Sequence, residues 1–167
     1  MSTTAIPRAT GGSAAPAVRA GVAGLIAGMV FAMWAMVIGI FTSNLWAPPQ
    51  GIAQSVGIGQ AGHDFQIAPF VLGLLGHMMN SIILGLIFLG VATVLKLRGL
   101  ASMVVGMMYG LVVYAVIYWG VLRSALAGTS ESFLSANPGW SWIVAHLMFG
   151  GVLGLLFAYG PLRRQES

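Results

Sequence analysis

Residues 69–122 read PFVLGLLGHMMNSIILGLIFLGVATVLKLRGLASMVVGMMYGLVVYAVIYWGVL. Two long apolar runs are separated only by Lys96, Leu97, Arg98 and Gly99. A helix needs about 20 apolar residues to cross the hydrocarbon core of a bilayer. The stretch therefore predicts two transmembrane helices, 69–95 and 100–122, joined in a tight antiparallel hairpin. Residues 20–41 and 140–159 qualify by the same test. The expected fold is an all-α membrane protein, a four-transmembrane-helix bundle with its helices in up-down order.

Composition agrees with that reading. The chain has 167 residues, room for one domain, of which 58% are hydrophobic and 6% charged. A soluble domain carries roughly a quarter charged residues, so this chain could not cover a water-facing surface, and lipid is the expected solvent. The net charge of +4 comes from Lys and Arg near the expected helix ends, with no basic stripe carrying aromatics. Nucleic-acid binding is therefore not expected. The chain has no cysteine, which excludes disulfides, thiolate metal sites and thiol redox chemistry.

Residues 1–19 are rich in Ser, Thr, Ala, Gly and Pro and are expected to form a disordered tail. They do not resemble a cleavable signal, because the apolar run after Arg19 exceeds the usual length of about 7–15 residues. Orientation follows from the basic residues. Arg8, Arg19, Lys96, Arg98, Arg163 and Arg164 fall on one side of the expected bundle, and Arg123 alone falls on the other, with Asp64 and Glu131. The N-terminal tail, the middle turn and the tail 161–167 are thus expected in the cytoplasm. The outer connections 43–68 and 124–139 are longer, and the first has room for a short interfacial helix. Trp46, Trp119, Trp140 and Trp142 sit near the outer boundary, where lipid anchoring is the expected role.

The second and fourth spans resemble one another. HMMNSIILGLIF from His77 and HLMFGGVLGLLF from His146 share six of twelve positions at an offset of 146 − 77 = 69. The His match carries most weight, since the chain has three His. The first and third spans align more weakly, GVAGLIAGM from Gly21 against GLASMVVGM from Gly99. The pattern predicts a tandem two-helix repeat with both copies pointing the same way through the membrane. Close helix approach in lipid uses small residues four apart. Gly24/Gly28, Ser81/Gly85, Ser102/Gly106 with Gly110, and Gly150/Gly154 are the candidate packing positions. Each His precedes its pair by four and eight residues, so it shares their face and should point into the bundle.

At 1.5 Å per residue, His77 and His146 lie about 10 Å below the outer boundary. Trp34, Tyr114 and Tyr118 come to a similar level, with several Met nearby. Ionisable groups at such depth are functional hypotheses, and three readings compete. The histidines could lock helices through interhelical hydrogen bonds, to a backbone carbonyl, Asn80, Ser81 or a Tyr hydroxyl. They could be axial ligands of one b-type haem. They could line a pocket for a quinone or lipid head, or hold copper together with Met. No span contains Asp or Glu, which argues against proton-coupled transport. The three acids in the chain give a thin inventory for a hydrolase.

The His-xxx-small-xxx-Gly helix, occurring at His77–Gly85 and His146–Gly154, resembles small four-helix bacterial membrane proteins of uncharacterised function. That resemblance implies a compact bundle in a bacterial cytoplasmic membrane and carries no activity or cofactor. The leading expectation is a non-enzymatic accessory or assembly subunit of a membrane complex, associating with itself or with partner helices in the bilayer. A redox or ligand-binding protein using His77 and His146, with haem b, quinone or copper, comes next. A small translocating protein is third.

Overall fold

The computed structural model describes residues 14–159. Among them every regular element is helical: α1 (Ala14–Thr42), α2 (Ala47–Ser55), α3 (Ile67–Val94), α4 (Leu100–Tyr114), α5 (Glu131–Ala136) and α6 (Gly139–Tyr159). A π-helix, Ala115–Ala125, prolongs α4. Four helices, counting α4 and its extension as one, are long and apolar enough to cross a membrane. Their bounds follow the expected spans, with two differences. Helix α1 begins at Ala14, so residues 14–19 of the expected tail are helical; the rest of that tail, and residues 160–167, lie outside the described residues. The third span runs to Ala125 through the π-helix rather than stopping at 122.

Local chemistry explains the element ends. Pro48 and Pro49 sit in the first turn of α2, where a missing N–H leaves no hydrogen bond unmade. The α3–α4 turn reverses the chain through left-handed backbone at Lys96 (φ 50°) and Gly99 (φ 54°). Glycine takes that conformation without a Cβ penalty. Helix α6 starts just after the extended Asn137 and Pro138, with Ser141 N–H donating to the Pro138 carbonyl at 2.9 Å.

Two close seams hold the long helices. In the α1–α3 seam, a Cβ added at Gly24 would collide with the Ser81 carbonyl, one at Gly85 with Ala20 and Gly24, and one at Gly28 with the Ser81 side chain. In the α4–α6 seam, a Cβ at Gly106 would meet Gly150 and Gly154, one at Gly110 the His146 carbonyl, and one at Gly154 the Ser102 carbonyl. All nine expected packing positions are buried. Contact for contact, Ala20, Gly24 and Gly28 take the places of Ser102, Gly106 and Gly110, an offset of 106 − 24 = 82. The expected alignment of Gly21 with Gly99 has an offset of 99 − 21 = 78 and so lies one turn away.

A third interface joins α1 to α6, whereas α3 and α4 barely touch beyond their shared turn. Three sides of the square are packed and the fourth opens as a V. The Tyr109 hydroxyl donates to the Leu84 carbonyl at 2.9 Å and closes the V about midway along the two helices. Helix α6 is the most enclosed, with 56% of its most apolar stretch buried, against 17% for α3. Large apolar side chains such as Met33, Val94 and Val112 face outward, as a lipid solvent requires.

The wide end of the V is capped. Helix α2 packs on α3 and on α5, and buried amides fasten the connection after it. Gln50 Nε2 donates to the Asp64 carbonyl at 2.9 Å, and Gln54 Nε2 to the Gln60 carbonyl at 2.6 Å. Asn44 and Trp46 both donate to the His63 carbonyl. His63 Nε2 lies 3.1 Å from the Ser132 carbonyl, and the Gly62 N–H donates to Ser132 Oγ at 2.9 Å. The first outer connection is thus stitched to the second across the bundle.

Candidate ligand-binding site

Between the arms of the V lies a cavity of about 220 Å³. Helix α3 contributes His77, Asn80, Ser81 and Leu84, and α6 contributes Trp142, His146 and Phe149. Phe31 of α1 forms part of its wall, and the cap closes its wide end with residues such as Ile52 and Phe133. The third wall comes from Val113, Ile117, Tyr118, Val121 and Leu122. These recur every four to five residues because the helix changes there to i→i+5 bonding; the Leu126 N–H donates to the Val121 carbonyl at 2.8 Å. An ordinary α-helix would rotate Tyr118 and Leu122 progressively off this face.

The two histidines meet this cavity from different helices, and each is half-used. His77 Nε2 lies 3.0 Å from the Gly28 carbonyl of α1, across the seam. A Cβ at Gly28 would collide with Ser81, so the glycine is what lets the helices approach this closely. His146 Nδ1 lies 2.7 Å from the Trp142 carbonyl of its own helix. Carbonyl oxygens only accept, so each of these nitrogens carries the proton, and in the neutral ring the other nitrogen is a bare acceptor. Phe31 packs against both imidazoles, its ring centroid 5.0 Å from His77 and 4.8 Å from His146.

The remaining candidates divide. Tyr118 lines the cavity, and Tyr114 stands behind it, stacked on Tyr118 at 5.0 Å and edge-on to His146 at 5.4 Å. Trp34 lies elsewhere; its Nε1 donates to the Ser141 carbonyl at 3.2 Å and to Ser141 Oγ at 3.1 Å, fastening α1 to α6. Trp119 and Trp140 are more than half exposed, as anchors should be. Trp142 departs from that expectation: it is 1% exposed, packs on Phe133 at 4.5 Å, and its Nε1 has no hydrogen-bond partner. Its position at the head of α6 suggested an interface residue, but Phe133 of α5 and Phe31 of α1 enclose it.

The geometry fits a haem shared by the two rings poorly. The nitrogens left over are Nδ1 of His77 and Nε2 of His146, and Phe31 lies against both rings. For copper, Met33 and Met79 lie on exposed faces, 60% and 62% accessible. Among the described residues no three His, Cys, Asp or Glu side chains group as metal ligands do. The surroundings suit an organic molecule better: mostly apolar and aromatic walls with a few polar groups.

No protein family, curated protein or solved structure matches this chain. No activity, cofactor or partner is transferred to it, and function has to be argued from the cavity.

Proposed function

We propose that the chain is a multi-pass membrane protein that takes an amphiphile from the bilayer through the opening between α3 and α4. The polar head of that molecule is held at His77 and His146. The observation that carries this reading is the side cavity itself, about 220 Å³, with two half-used imidazoles in a mostly apolar wall. Buried polar groups without a full set of partners are costly, and a ligand head would supply what the helices do not. The matching seams support the tandem repeat as the origin of the His pair. Arg19, Lys96 and Arg98 at the apex end of the V support cytoplasmic termini in a bacterial inner membrane.

Photolabelling tests this reading. The full-length protein in lipid nanodiscs would be irradiated with a diazirine-tailed lipid probe and the labelled peptides mapped. Label concentrated around 76–84 and 117–122 is the expected result. Label spread evenly over outward positions such as Met33 and Val94 would refute an occupied cavity.

The accessory-subunit reading keeps one observation in its favour. The open side of the V also has the form that a helix from another chain, or from a second copy, would fill. A co-purifying polypeptide that protects the same segments from labelling would select it.

A further inference from the structure

Among the polar side chains that line the cavity, Ser55, Asn80, Ser81, Tyr118 and the two histidines, the imidazoles offer acceptors alone. His77 Nε2 and His146 Nδ1 donate to the Gly28 and Trp142 carbonyls, so the neutral rings present Nδ1 and Nε2 as acceptors. No acidic residue occurs in the spans to pair with an imidazolium, and a buried unpaired charge is expensive. Trp142 also lines the cavity, but through its ring: its Nε1–H is buried where a ligand does not reach it. The site therefore asks for a head that donates to imidazole.

A hydroxyl does so. A quinone carbonyl, a carboxylate or a phosphate only accepts and would leave both imidazole nitrogens unmet. The walls favour an aromatic bearer of that hydroxyl, since Phe31, Phe149, Tyr118 and Trp142 all line the cavity. Edge-to-face and offset ring contacts add to simple burial. A volume of about 220 Å³ exceeds the roughly 150 Å³ in which an engineered cavity holds benzene. It accommodates a substituted ring while an apolar tail leaves through the open side. Resting on the pocket reading, we infer that the ligand is a lipid-soluble phenol or quinol, bound through its free hydroxyl and preferred over the corresponding quinone.

The test uses the full-length protein in nanodiscs and four probes sharing one decyl chain. These are decylhydroquinone, its dimethyl ether, decylbenzoquinone and a straight-chain alcohol, each titrated by tryptophan fluorescence. The hydroquinone should bind about tenfold more tightly than the ether or the quinone, the scale of one net hydrogen bond. His146→Leu should lower hydroquinone binding to the level of the ether and leave the ether unchanged. If that variant does not fold, His77→Leu serves the same comparison. Equal affinity for hydroquinone and ether would overturn the hydroxyl assignment while leaving the pocket occupied by a ring. Equal affinity for the alcohol would overturn the ring. Binding of none of the four would overturn the inference outright, and the pocket reading would then rest on the photolabelling result alone.

Discussion

At the scale of single residues, two tryptophans in different settings should respond to different degrees. Trp34 donates to Ser141 from α1 to α6, so Trp34→Phe should lower stability by about 1 kcal/mol, the net value of a hydrogen bond. Trp142 is 1% exposed and packs on Phe31 and Phe133, so Trp142→Phe leaves a cavity where the five-membered ring stood and should cost about 1–3 kcal/mol. Thermal unfolding in detergent checks both; a loss at Trp142→Phe no larger than at Trp34→Phe would show that the cap does not pack on the indole. The sequence made the His pair legible because His is scarce in an apolar chain and its spacing to the small residues repeats. It did not reveal what the histidines bond to, since the Gly28 carbonyl lies 49 residues away from His77. Trp142 was misread because position near a span end says nothing about whether a cap covers it.

The elements make their own predictions through the seams. Gly106 and Gly150 face each other's backbone, and an added Cβ has no flexible neighbour to displace. Gly106→Ala and Gly150→Ala should each cost about 1–3 kcal/mol, as overpacking of a filled interior does. Gly90, also within a long helix, has nothing near its absent Cβ. Gly90→Ala should be neutral or gain up to about 1 kcal/mol from helix propensity. Equal effects at all three positions, measured by unfolding in the same detergent, would mean that the seams are not where the helices meet. Small residues four apart are a visible signal because lipid offers no other drive to close approach, so these contacts could be anticipated. The π-helix could not: residues 115–125 are less apolar than 100–114, but that marks the approach to the span end and not a change of bonding. The register between first and third spans was also missed by one turn, because Gly and Ala recur too often in α1 to fix an alignment.

On the scale of the whole molecule, the cap depends on side-chain bonds between distant connections. Gln50 is fully buried, donates to the Gly62 and Asp64 carbonyls and accepts from the Gln66 N–H. Gln50→Leu should release residues 62–66, seen as faster amide hydrogen exchange there, with the exchange of α1 and α6 unchanged. Unaltered exchange at 62–66 would assign the cap's order to α2 packing instead. The short α2 was anticipated from the length of the first outer connection; the web of bonds above it was not, because polar loop residues signal exposure until their partners are known. The open side of the V has a mechanical consequence. Its arms are tied at the turn and at the cap, so their separation answers to the sideways pressure of the surrounding lipid tails. A guest that propped the arms apart would enlarge the protein's footprint, and by reciprocity stretching the bilayer should then strengthen binding. Vesicles swollen osmotically should therefore bind the guest more tightly than slack ones, making occupancy a gauge of membrane tension.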